Sequence, residues 1–128
     1  MKKILVDTNA YAAFKSNDPV ALEVMRSSEY IGVNTVVLGE LYSGFKGGSR
    51  ENRNRKELAQ FLDSPRVETV MIDEETSEFY AKIYWDLKRK GKPVPSNDMW
   101  VAASAMRHGL ALFTFDDHFK NIDGLLLR

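Results

Sequence analysis

The run Ile4-Leu5-Val6, followed at once by Asp7, narrows most sharply what this chain can become. A short continuous apolar run rich in β-branched residues suits a strand buried on both faces, and such strands belong to parallel sheets covered by helices. An aspartate directly after that strand stands at the carboxyl end of the sheet, where open α/β folds bind their ligands. The pattern returns late in the chain, where Leu110 to Phe115 reads as an apolar strand and Asp116 follows it.

The residues between alternate strands with helices. Tyr30 to Val33 and Val67 to Ile72 read as the second and third strands, and Leu125-Leu126-Leu127 as a fifth at the edge. A short helix over Ala10 to Phe14 precedes one capped by Asp18 and begun by Pro19, with Val20, Val24 and Met25 on one face. Thr35 is placed to cap a helix bearing Val36, Val37, Leu41 and Gly44, which stops at Gly47-Gly48. Arg50 to Asp63 predicts a helix resting only Leu58, Phe61 and Leu62 on the core before Pro65. The longest helical pattern runs from Asp73 to Lys90, with Phe79, Ile83 and Leu87 in one stripe, and Gly91 closes it. Ser96 then caps a helix in which Val101, Ala102 and Ala105 share a face, ended by His108-Gly109. With no repeat or linker, residues 1–128 predict a single α/β domain with a mostly parallel sheet of four to five strands, covered on both faces.

Composition removes several chemistries. The chain has no cysteine, which excludes disulfides, thiolate-bound zinc and cysteine nucleophiles and fits a reducing cytoplasm. Eighteen basic residues balance eighteen acidic ones, so any contact with a polyanion must come from local patches. Asp7 interrupts the first apolar run too early for a signal peptide, and no stretch is long enough to span a bilayer. No glycine-rich dinucleotide loop, phosphate loop or nucleophile elbow is present. A dehalogenase-like phosphatase needs a second aspartate two residues after the first, and Asn9 stands there.

Four acids carry the chemistry. Asp7 and Asp116 follow buried strands, while Glu40 and Asp98 sit at helical spacing from apolar faces. An ionised carboxylate on an apolar face calls for a partner. If the four converge, repulsion is about 4 kcal/mol for each pair ~4 Å apart at an effective dielectric near 20, and cations must offset it. Oxygen-rich acidic clusters favour hard ions such as Mg²⁺ or Mn²⁺, which promote phosphodiester hydrolysis. Taken singly, each acid has an ordinary reading as a turn, a cap or a solvent-reaching side chain.

Val6-Asp7-Thr8-Asn9, Glu40-Leu41, Asn97-Asp98 followed by Trp100-Val101-Ala102-Ala103, and Thr114-Phe115-Asp116 before His118-Phe119 span nearly the whole chain. In this order and spacing they resemble the PIN-domain ribonucleases and, among the small members, the VapC toxins. The resemblance implies a PIN-like three-layer α/β/α sandwich and a Mg²⁺- or Mn²⁺-dependent endoribonuclease whose metal is held by Asp7, Glu40, Asp98 and Asp116. It implies hydrogen-bonding support from Thr8, Asn9, Asn97 and Thr114, an RNA substrate, a homodimer, and a cognate antitoxin whose tail blocks the cleft. The alternative is a catalytically silent PIN-like module that binds RNA or protein. Phe115 and Asp117 depart from the family pattern and leave the register between Asp116 and Asp117 open, with the Thr-x-Asp spacing favouring Asp116.

Two basic runs, Lys46 to Lys56 and Lys88 to Lys92, read first as solvated helix ends and second as contacts to RNA phosphates or antitoxin. His108 and His118 lack the spacing of a metal pair and read as structural.

Overall fold

A computed structural model describes residues 2–128. Four strands, β1 (Lys3–Val6), β2 (Tyr30–Asn34), β3 (Val67–Val70) and β4 (Ala111–Phe113), form one sheet in the order β3-β2-β1-β4, with every pairing parallel. Helices α1 (Thr8–Lys15) and α2 (Pro19–Ser27) join β1 to β2, and α3 (Thr35–Gly47) and α4 (Glu51–Leu62) join β2 to β3. Helices α5 (Glu74–Lys90) and α6 (Ser96–His108) then carry the chain to the other side of β1. Right-handed crossovers turn that reversal into helices on both faces, and it opens a crevice at the carboxyl ends of β1 and β4.

The two middle strands bury Ile4, Leu5, Val6, Ile31 and Val33. Gly32 lies among them because there is no room for more: a Cβ there would meet Val70 Cγ2 at 2.9 Å and Leu5 Cδ1 at 3.1 Å. Helix α5 packs along α6, whose buried Ala102, Ala103 and Ala105 permit close approach. Asp73 and Thr76 form a reciprocal capping box at the start of α5, and Gly91 ends it in the left-handed conformation with φ 65°.

Several boundaries differ from the sequence expectation. Helix α1 starts at Thr8, not Ala10, because Asp7 already caps it. Asn34, not Thr35, caps α3 by accepting from Val36 N, and α6 starts behind Pro95 with no side-chain cap from Ser96. On α2 the buried face is Ala21, Val24 and Met25, and Val20 is exposed. Gly44 faces open space and Val36 is half-buried, so the buried stripe of α3 is Val37 and Leu41. The third strand stops at Val70 and the fourth at Phe113, since Met71, Ile72 and Phe115 are exposed. Leu125 to Leu127 does not complete a fifth strand: Leu127 forms only an isolated parallel bridge to Leu112. No helix among the described residues is long and apolar enough to cross a membrane.

The crowding at Gly32 has a measurable consequence. Gly32→Val should destabilise the protein by about 1–3 kcal/mol through overpacking. Gly39→Ala, in a helical position with nothing within 4 Å, should stabilise it by about 0.5–1 kcal/mol. Urea unfolding of both variants checks the pair, and equal behaviour would refute the packing argument.

Candidate active site

Asp7 leaves β1 with its N–H bonded to Phe113 O at 3.0 Å, which fixes it beside the end of β4. Its Oδ1 accepts from Thr8 N at 2.9 Å and its Oδ2 from the Thr114 hydroxyl at 2.8 Å. The residue is only 4% exposed. Burial pushes its carboxyl above the usual aspartate value; the Thr114 and Thr8 hydrogen bonds oppose this, and the nearby charges of Asp98 and Glu40 add to it.

The other acids gather around it from separate elements. Glu40, half-buried on α3, accepts from the Thr8 hydroxyl at 2.6 Å. Asp98, in the first turn of α6, has its pKa raised chiefly by burial; His118 opposes this, and the charges of Glu40 and Asp116 add smaller upward pushes. Asp116 receives no direct bond from Asp7; Thr114 links them, since its hydroxyl donates to Asp7 and accepts from Asp116 N at 3.1 Å. Asn9 Oδ1 accepts from Phe115 N at 3.1 Å and ties α1 to the segment after β4.

Of the residues expected from sequence to support the acids, Thr8, Asn9 and Thr114 thus lie in one bonded network. Asn97 does not join it. It is exposed and lines a shallow pocket with Glu40, Val36, Gly39 and Ser43. Asp117 points away as well: its side chain is 88% exposed and pairs with Lys120 at 3.1 Å, whereas the Asp116 carboxylate lies 2.8 Å from His118.

Two features escaped the sequence reading. His118 is part of the cluster, with Nε2 2.7 Å from Asp98 Oδ2 and Nδ1 2.8 Å from Asp116 Oδ1. Its signal was its place in the 3₁₀ turn Asp117–Asn121 that Asp116 caps, not any spacing to another histidine. His108 is exposed at the end of α6. The second feature is the buried bond from Asn34 Nδ2 to Ser104 Oγ at 2.6 Å, which ties the start of the Glu40 helix to the Asp98 helix. Nothing in the local pattern marks either residue as a partner of the other.

None of the lysine or arginine ion pairs among the described residues involves the four acids. Lys46 and Arg55 pair with Glu51, Arg53 with Glu57, and Lys90 with Asp123. Much of both basic runs is therefore compensated locally, and Lys88 lies over the rings of Tyr84 and Trp85. Neutral hydroxyl and amide donors on Asp7, Glu40 and Asp116 do not cancel the charge of the cluster. Asp98, Asp116 and His118 bring nitrogen and oxygen atoms within 4.8 Å of one another, and the carboxylate oxygens among them suit a divalent cation.

The raised Asp7 pKa means that the folded state holds that proton more tightly than the unfolded chain does. Ionisation of Asp7 therefore destabilises the fold at pH above the raised value, and this penalty disappears as pH falls to the ordinary aspartate range. Asp7→Asn, nearly isosteric, should raise the melting temperature of the metal-free protein at neutral pH, with a gain that shrinks on acidification. Calorimetry in chelator across that pH range checks this, and a variant less stable than wild type at neutral pH would contradict it.

Known proteins resemble this chain in sequence and in fold. A family model described as PIN domain matches residues 4–125. The chain is 31% identical over 121 residues to a protein named Ribonuclease VapC4 of Mycobacterium tuberculosis, covering 93% of this chain and 90% of that one. It is 28% identical over 129 residues to Ribonuclease VapC2 of Rickettsia felis, covering 97% and 95%. Its backbone is similar to a crystal structure of VapBC2 from Rickettsia felis bound to a DNA fragment from their promoter, with a TM-score of 0.85, 25% identity, and coverage of 98% of this chain and 96% of that one. By family match, by sequence over nearly its full length and by topology, this chain belongs to the PIN domain family and stands with its VapC members.

Proposed function

We propose that this protein is a Mg²⁺- or Mn²⁺-dependent endoribonuclease that hydrolyses RNA phosphodiester bonds in the cytoplasm as the toxin of a toxin–antitoxin pair. The observation that carries this reading is the meeting of Asp7, Glu40, Asp98 and Asp116 at the carboxyl ends of β1 and β4, with burial and mutual charge raising the pKa of Asp7 and Asp98. The relatives named as ribonucleases support the substrate class, and a solved structure from Mycobacterium tuberculosis described as a member of the VapBC family of toxin-antitoxin systems, 25% identical with a TM-score of 0.73, supports an antitoxin partner. A homodimer accords with the same family.

In this reading Asp7, Glu40, Asp98 and Asp116 hold the metal, directly or through water. A divalent ion held there would supply positive charge to the scissile phosphate and lower the pKa of a water. Thr114 holds Asp7 in place through its hydroxyl, and Thr8 does the same for Glu40 Oε1. Glu40 Oε2, free of that bond, or Asp98 would take the proton of the attacking water as the new P–O bond forms in line with the P–O bond to the leaving ribose oxygen, which breaks. The surrounding sheet ends keep these groups from relaxing when the charge on the phosphate grows, so that orientation is set before the reaction.

Cleavage of a panel of structured RNAs by the purified protein tests the proposal. Activity should need Mg²⁺ or Mn²⁺ and vanish in chelator. Asp7→Asn and Asp116→Asn should each lose at least ~100-fold, the scale of a disrupted metal site. Asp117→Asn, altering an exposed acid outside the cluster, should cleave like wild type. Equal degradation by wild type and Asp7→Asn would remove the site assignment, and RNA binding without cleavage would favour the silent module. In cells, overproduction should arrest growth and co-production of the neighbouring antitoxin should relieve it; a harmless free protein would refute the toxin role.

A further inference from the structure

The geometry points to His118 as a positioning residue that fixes Asp98 and Asp116 for a divalent cation without ligating it, an inference that rests on the nuclease reading above. The imidazole takes one oxygen of each acid, Asp98 Oδ2 through Nε2 and Asp116 Oδ1 through Nδ1. The second oxygens, Asp98 Oδ1 and Asp116 Oδ2, take no hydrogen bond among the described residues and remain for the ion. With both nitrogens turned onto carboxylate oxygens at hydrogen-bond distance, the ring presents neither of them to an ion held by the second oxygens.

The two acids come from different parts of the chain. Asp98 rides on α6, and Asp116 precedes the 3₁₀ turn after β4. His118 joins those segments at the level of their side chains. The ring is held in turn by its own backbone, whose N–H donates to Asp116 Oδ1 at 3.3 Å, and by Phe119, which is fully buried and packs 4.8 Å from it between ring centroids. Imidazole therefore acts here as a rigid spacer: it selects one rotamer of each acid and sets the gap between the free oxygens. Side chains that orient metal ligands in this way typically govern affinity by about 10–100-fold.

Direct calorimetric titration of Mn²⁺ into the full chain tests the role apart from turnover. His118→Ala should weaken Mn²⁺ binding about 10–100-fold. His118→Asn and His118→Gln, each able to keep one of the two bonds, should fall between it and wild type. Electron spin echo spectra of Mn²⁺ bound to wild type should lack the coupling of a directly ligated imidazole nitrogen. Wild-type affinity in His118→Ala, or a directly bound nitrogen in wild type, overturns the positioning role. If the alanine variant fails to fold by circular dichroism, His118→Gln carries the comparison, with a several-fold loss expected and an unchanged affinity overturning the role. A wild type that binds no Mn²⁺ overturns this inference and the nuclease reading together. Unchanged affinity in the variants of a wild type that both binds Mn²⁺ and cleaves RNA overturns the role of His118 alone.

Discussion

Like charge forced together at the end of a buried sheet is the constraint on which the rest of this structure depends. Asp7 is held at the carboxyl end of β1 by a backbone bond to β4 and is almost fully buried, while Glu40, Asp98 and Asp116 surround it. Such a cluster is unfavourable in a fold left to itself. It persists because strands β1 and β4, packed by Leu5, Val6, Leu112 and Phe113, determine the backbone positions independently of the acids. The hydrophobic core thus holds in place a polar arrangement that would otherwise disperse.

The hydrogen bonds around the acids share the work between two tasks. Thr8, Thr114 and Asn9 each connect α1 or the segment after β4 to an acid or to its neighbour, so the orientation of the carboxylates is set by elements far apart in the chain. The buried Asn34–Ser104 bond acts one layer back, where it ties the helix carrying Glu40 to the one carrying Asp98. A destabilised centre within a well-packed frame is the expected compromise for a site built around a charged ligand. The lysines and arginines of α3, α4 and α5 pair locally, and among the described residues none of them forms an ion pair with the four acids.

Much of the fold was legible from residue pattern. The apolar runs at Ile4-Leu5-Val6 and Leu110 to Phe113 fall in or against strands, and the long stripe of Ile83 and Leu87 is buried on α5. Strand ends were overextended at Ile72 and Phe115 because β-propensity continues where pairing partners do not. Caps were misplaced by one residue at Thr35 and Ser96 because several neighbouring polar residues can each satisfy the first turn, and the backbone angle at the boundary chooses among them. Val20 illustrates the same limit on a helix face: spacing placed Val20 inside, and the docking of α2 against α1 buried Ala21 instead.

What the residue order by itself determined was the four strands of the sheet, the six helices between them and the placing of Asp7 and Asp116 after apolar strands, because apolar periodicity and turn chemistry act over a few neighbours. That Asp116 and not Asp117 turns inward, a choice the Thr-x-Asp spacing favoured without fixing, why Asn97 stays in solvent, and how His118 and Ser104 reach Asp98 and Asn34 were decided by tertiary structure. Those contacts span large separations, as between Thr114 and Asp7 or Ser104 and Asn34, and exist only once sheet register and helix docking set side-chain positions to within about an ångström. No short-range preference carries that information.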